Sequence, residues 1–247
     1  MAGSLSVQLY SVREQLAADR DGTLRRLAEI GYDEVELFDP TADAPGFRKL
    51  ADELGLGVTS THAYKLLQEP ERTNATLDDI ATVGAKLAII PGGIAHEEFA
   101  SPDGIKRTAD LLNGIAEKAA GHDIRIGYHN HWWEIEPTFD GRHAIELLAD
   151  ALGPTLFLEI DTYWAAVGGA DPAALLTRLG DRVLALHVKD GPVLKGKPQV
   201  AVGTGGMKVP EILAAAPKAA RIVEFDECAT DLFEALAASR DYLVGLA

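Results

Sequence analysis

Residues 155–189, TLFLEIDTYWAAVGGADPAALLTRLGDRVLALHVK, decide how this chain folds. Two short runs rich in Leu, Val, Ile and Phe bracket a stretch in which Leu and Ala return every three or four positions, and Asp171-Pro172 stands there as an N-cap followed by a first helical turn. That pattern reads as a strand, a crossover helix and a second, parallel strand. Outward from it the same alternation recurs, with β-rich runs at residues 5–12, 34–39, 57–63, 87–91, 124–132, 155–163, 183–189 and 221–227. Helical periodicity fills the gaps, for example at 23–30, 47–54 and 103–120, and Gly31, Gly55, Gly121 and Gly153 stand where a left-handed residue would close a helix. Eight such repeats predict an α/β fold, a single-domain (β/α)₈ TIM barrel over residues 1–247. An open doubly wound sheet would carry a glycine-rich phosphate loop after its first strand, and LSVQLYSVREQL has no glycine.

Composition agrees. A chain of 247 residues with 47% hydrophobic side chains has the usual size of one barrel and enough apolar surface for its core. The opening MAGSLSVQLYSV lacks a basic region followed by an apolar stretch, and no apolar run approaches the roughly 18 residues of a membrane span, so no membrane is expected as partner. A single cysteine, Cys228, excludes an internal disulfide and a cysteine-cluster zinc site and points to a reducing, cytoplasmic setting. A net charge of -15 would repel phosphate backbones, so nucleic acid is not an expected partner, whereas a homo-oligomer is allowed.

Polar side chains at the C-terminal ends of barrel strands face the position where such barrels build their active sites. Here they gather at those ends: Glu36 on the second strand, His62 on the third, His129 and His131 on the fifth, Glu159 and Asp161 on the sixth, His187 and Lys189 on the seventh, Glu224 and Asp226 on the eighth. Residues two apart share a strand face, so each pair can look into one cavity. Burying so many ionisable groups is costly unless a cation compensates, and a divalent ion is the simplest one. Asp161, His187 and Glu224, on three successive strands, form the core of the expected ligand set, while His129 and His131 could exchange roles. His62 or Glu36 alone would pass for a satisfied core residue.

With those residues in view, the chain resembles the xylose-isomerase-like barrels, specifically the sugar phosphate isomerase/epimerase group. The segments that carry the resemblance are GYDEVELF (31–38), IGYHNHWWEIE (126–136), LEIDTYWAAVGGADP (158–172), ALHVKDG (185–191) and VEFDE (223–227). The resemblance implies one divalent ion, manganese first and cobalt, zinc or magnesium as alternatives, held by His129, Asp161, His187 and Glu224. The group's usual strand-five ligand is glutamate, and His129 occupies that place. In the group's epimerases two ligand glutamates form the acid/base pair, of which Glu224 alone remains; His131, Glu159 and Lys189 are the candidates for the second proton carrier, His131 first.

Such a site would act on a small sugar or sugar derivative. An ion chelated by adjacent hydroxyl and carbonyl oxygens would polarise the carbonyl and stabilise the enediolate left when the neighbouring proton departs. Return of the proton gives a sugar isomerase or epimerase; loss of a β-substituent gives a lyase acting on a 3-keto sugar or keto-glycoside, with Glu224 and His131 sharing the acid and base roles. His62, Glu36, Trp132 and Trp164 are the expected substrate-binding residues; Trp132, Trp133 and Trp164 would either stack on a sugar ring or roof the barrel. The segment GTGGMKVPEI (203–212) reads as a flexible glycine turn before a helix, with a phosphate cradle as its alternative. The same barrel houses nucleases similar to family two of the abasic-site endonucleases, which the acidity of this chain disfavours. A noncatalytic subunit of a heteromeric enzyme is the remaining rival, against which the intact ligand set argues.

Overall fold

In a computed structural model, which describes residues 4–246, each of the eight β-rich runs forms a strand. These are β1 (Leu5–Gln8), β2 (Glu34–Leu37), β3 (Gly57–His62), β4 (Leu87–Ile90), β5 (Arg125–His129), β6 (Phe157–Asp161), β7 (Val183–Val188) and β8 (Ala220–Val223). They pair in chain order, all parallel, and β8 returns to β1 through Leu5 opposite Arg221 and Val7 opposite Val223, which closes a single-domain TIM barrel. Crossover helices cover its outside, and closure leaves the barrel sheet no free edge; a short antiparallel pair, Thr138–Phe139 with Arg142–His143, lies outside it.

Several strands are shorter than their sequence patterns. The run 5–12 leaves the barrel wall after Gln8, where a 3₁₀ turn (Leu9–Val12) begins and the Gln8 side chain accepts the Tyr10 N–H at 3.1 Å. The run 155–163 stops at Asp161, whose carboxylate caps the next helix by accepting the Trp164 N–H at 2.8 Å. The run 221–227 stops at Val223, so Glu224 and Asp226 sit just beyond the strand. β-propensity continues through each of these segments, but the polar residue at the mouth ends strand pairing by satisfying a turn or joining the site.

The helices obey local rules. The helices Arg20–Ile30, Ala44–Leu54 and Thr73–Val83 close on Gly31, Gly55 and Gly84 in the left-handed region. Gly121 and Gly153 do not serve that way. The helix Pro102–Ala119 runs into a 3₁₀ turn and ends on left-handed Asp123, and the helix Ala144–Ala151 exits through extended Leu152, so neither glycine is needed there. On Pro102–Ala119, Ile105, Ala109, Leu112, Ile115 and Ala119 form the buried stripe that the helical period predicts. As expected, Asp171 caps the helix Pro172–Leu179, its carboxylate accepting the Ala174 N–H at 3.0 Å. Gly127 on β5 has a packing reason: a Cβ there would stand 2.5 Å from the Phe157 ring on β6. Among the described residues no helix is long and apolar enough to cross a membrane.

Candidate active site

Strand register builds the floor of the site. Gln8, Glu36 and Ser60 lie opposite one another on β1, β2 and β3, and both Gln8 Nε2 (2.7 Å) and the Ser60 hydroxyl donate to the Glu36 carboxylate. On the other side His129 stands opposite Glu159, and Asp161 opposite His187. Closure then brings residues distant in sequence together across the barrel. His187 is the hub, its Nδ1 lying 2.7 Å from Glu224 and its Nε2 2.7 Å from Glu36 and 3.3 Å from Glu159. With carboxylates on both ring nitrogens, the imidazole carries both protons; burial opposes that charge, but Glu159 and Glu224 hold the pKa well above the ordinary histidine value.

Two donor groups share His187. Asp161, His187 and Glu224 present ligand atoms within 4.8 Å of one another, as do His62, His129, Glu159 and His187. The first group contains three of the four ligands expected from the sequence. The fourth, His129, turns Nδ1 to Glu159 Oε2 at 2.9 Å and keeps Nε2 3.9 Å from Asp161, so it belongs to the second group and reaches toward the first. His62 Nε2 meets the same Glu159 oxygen at 2.9 Å.

Carboxylates outnumber the protein's own cations in the site. Burial pushes Glu159 up to about 7, with the Glu36 charge adding to it, and burial pushes Asp161 up to about 6 against the pull of Lys189. Burial would raise Glu36 too, but the charge on His62 and the hydrogen bond from His187 bring it down to about 2. Lys189 is 1% exposed, with Nζ 3.0 Å from Asp161, 2.6 Å from Glu224 and 2.8 Å from Asp226; burial opposes its charge, yet these carboxylates keep it firmly protonated. Glu159 Oε1 and Asp161 Oδ2 are buried without a well-aligned hydrogen bond, the latter despite the nearby ammonium. Unsatisfied carboxylate oxygens beside imidazoles are the donors a divalent ion requires, and the residues present fit one.

An ion at Asp161, His187 and Glu224 must displace a proton from His187 at neutral pH and a second, from Asp161, below about pH 6. Metal affinity should therefore rise about tenfold per pH unit above pH 6 and about a hundredfold per unit below it, a change of slope that calorimetric titration between pH 5 and 8 would register. A pH-independent affinity would contradict this assignment.

A cavity of about 320 Å³ opens above these groups, lined by His62, His129, His131, Trp133, Lys189 and Glu224, with Tyr10, Phe38 and Tyr64 at its mouth. That is the small end of ligand pockets. His131 stacks on Trp133 (centroids 4.2 Å apart), its Nδ1 is buried without a partner, and burial followed by the Lys189 charge lowers its pKa to about 3, so the ring is neutral. Glu36, by contrast, is 0% exposed and lies beneath the cavity, where it positions His187. Trp132 and Trp164 pack on each other at 4.9 Å, with Lys195 over the Trp132 ring, and the aromatic wall of the cavity is Trp133.

Sequence reasoning missed the residues that hold these side chains in place. Asn130 accepts the Asp161 N–H at 3.0 Å and clamps β5 to β6. Glu134 accepts the Tyr128 hydroxyl at 2.6 Å and the His131 N–H at 2.8 Å, fixing the turn that carries His131. The carboxylate of Asp190, next after Lys189, accepts the N–H groups of Gly191, Gly203, Gly205 and Met207. These contacts engage the N–H groups of Gly203, Gly205 and Met207: the 203–212 segment is a tied loop rather than a free one, and those N–H groups face a carboxylate instead of a phosphate. Gln199 on the same loop bonds Asp226 through both ends of its amide. A polar residue within a motif, on the strand face opposite its neighbours, was the available signal for Asn130.

Comparison with known proteins agrees with this architecture. The pattern of the family described as "Xylose isomerase-like TIM barrel" matches residues 24–220. The chain is 28% identical to an inosose dehydratase of Geobacillus kaustophilus over 69% of this chain and 62% of that protein. It is 24% identical to a 3-dehydroshikimate dehydratase of Pseudomonas aeruginosa over 69% of this chain and 28% of that protein. It thus spans less than two thirds of either curated relative. A solved sugar phosphate isomerase/epimerase from Parabacteroides distasonis superposes with a TM-score of 0.82 at 25% identity, covering 98% of this chain and 94% of that one. The chain is a member of the xylose isomerase-like TIM barrel family.

Proposed function

We propose that this chain is a divalent-metal-dependent lyase that removes the proton beside the carbonyl of a keto sugar or keto-glycoside and then expels the oxygen substituent β to that carbonyl. The observation that carries this reading is the unlikeness of the two proton-handling groups on the cavity wall: His131, neutral with an open Nδ1, and Lys189, an ammonium with protons to donate. An epimerase needs two groups that exchange acid and base roles, whereas elimination needs one base and one donor to the departing oxygen. Both curated relatives quoted above are named dehydratases, which supports elimination.

An ion bound by Asp161, His187 and Glu224, with His129 approaching, would supply Lewis-acid polarisation of the substrate carbonyl. Two imidazoles with two carboxylates suit manganese, cobalt or zinc better than magnesium. His131 takes the proton. Lys189 donates to the leaving oxygen, while Trp133 holds the His131 ring flat against the wall. The sugar isomerase/epimerase alternative shares the first step and draws on the likeness to the Parabacteroides distasonis structure.

The test is incubation of manganese-loaded protein with a 3-keto glucoside in deuterated water. The expected result is an ultraviolet-absorbing enone formed in step with the released alcohol. The His131→Asn variant should keep its metal and lose turnover. Lys189→Met should slow release of methanol by about a hundredfold but release of 4-nitrophenol far less, because a good leaving group does not need the proton. Deuterium incorporation with an epimer or isomer as sole product would replace the lyase reading by the isomerase one.

A further inference from the structure

Seven large hydrophobic side chains are exposed among the described residues, and three of them, Tyr10 (39%), Phe38 (37%) and Tyr64 (37%), stand together at the mouth of the active-site cavity. Tyr10 and Phe38 meet edge to face with centroids 5.9 Å apart, and the Arg13 guanidinium lies 4.1 Å over the Tyr10 ring, so the group is braced. Phe38 is also a wall of a second cleft of about 250 Å³, between the loops that follow β1 and β2. That cleft is lined by Leu9, Leu16, Ala17, Leu37, Ala42 and Phe47, together with Arg13, Arg20, Asp39, Pro40 and Asp43. The Phe38 ring is thus common to the catalytic cavity and to a largely apolar cleft.

The geometry points to this cleft as the binding site for the leaving group of the substrate, and to that leaving group as a flat aromatic alcohol rather than water or a second sugar. This rests on the lyase reading and adds the class of aglycone. A cavity of about 320 Å³ accommodates one sugar ring, and the oxygen expelled from it has to carry its substituent somewhere. Exposed aromatic rings favour a flat apolar partner over solvent. A sugar aglycone would need free polar partners, and the polar groups at the rim are already engaged. Arg20 pairs with Asp21 and Asp43, Asp43 also caps the Gly46 N–H, Asp39 accepts both the N–H and the hydroxyl of Thr41, and Arg13 donates to the carbonyls of Tyr10 and Asp226.

In the reaction the carbon that links the ketone to the anomeric carbon loses its proton to His131, the electron pair of that C–H bond becomes the double bond to the anomeric carbon, and the anomeric C–O bond breaks. The aglycone oxygen gains a proton, giving an enone sugar and a free phenol, and no other reactant is consumed.

The experiment uses the full chain and two unreactive probes, phenyl β-glucoside and methyl β-glucoside, which lack the ketone. In amide-resolved NMR titrations the phenyl compound should shift Leu16, Ala17 and Ala42, which line the cleft and not the sugar cavity, the methyl compound should not, and Ala17→Trp, which fills the cleft from an exposed helix position, should erase the shifts. On keto-glucosides, Ala17→Trp should lower kcat/KM for the aryl substrate by about tenfold and leave that for the methyl substrate near wild type. Equal responses to both probes, an equal response to cellobiose, or shifts elsewhere would overturn the assignment. Binding of the phenyl probe in the cleft with no keto-glycoside cleaved would leave this site standing and sink the lyase reading instead.

Discussion

Replacing His187 with alanine is expected to lower divalent-metal affinity by more than about a hundredfold and to destabilise the metal-free protein by roughly 3–5 kcal/mol. The imidazolium is the cation shared by Glu36, Glu159 and Glu224, at 2.7, 3.3 and 2.7 Å, and it is 0% exposed. Without it three buried carboxylates face one another with only His62, His129 and Lys189 nearby, and a broken buried pair costs far more than an exposed one. For a chain of this size the stability loss corresponds to a fall in Tm of roughly 6–20 °C. Differential scanning calorimetry with and without manganese reads both effects. Wild-type metal affinity in the variant would show that the ion is held by the remaining groups and that His187 belongs to the floor of the barrel alone.

Asp190→Ala should be nearly as damaging although Asp190 touches neither the cavity nor a ligand. Its buried carboxylate accepts four backbone N–H groups, those of Gly191, Gly203, Gly205 and Met207, and each lost partner leaves a donor to find water inside a packed loop. The fit is close: a Cβ at Gly205 would lie 2.2 Å from an Asp190 oxygen, so the loop cannot close over any larger residue. A loss of roughly 3–5 kcal/mol is expected. Turnover should fall further than stability alone predicts, because Gln199 on the same loop holds Asp226, which in turn holds Lys189 at 2.8 Å. Metal affinity should stay near wild type. A Tm within about 2 °C of wild type would mean that water replaces the carboxylate without loss.

The eight-fold alternation of strand and helix, the caps at Gly31, Gly55 and Asp171, and the gathering of acids and histidines at strand ends could all be read from residue order. Each is a local property: side-chain period along a strand or helix, or the chemistry of one turn, acts over a few residues and leaves its trace in neighbouring letters. Which groups meet was decided only by closure of the barrel. His187 and Glu36 lie 151 positions apart and His62 and Glu159 97, yet both pairs are in hydrogen-bond contact because strand register and the turn of the barrel bring them across its axis. The same holds for Trp133 rather than Trp132 on the cavity wall, and for the glycine loop bound to Asp190, where one residue's rotation about the chain selects the partner. Periodicity tells a side chain which face to occupy; the depth at which eight staggered strands end tells it whom it will touch.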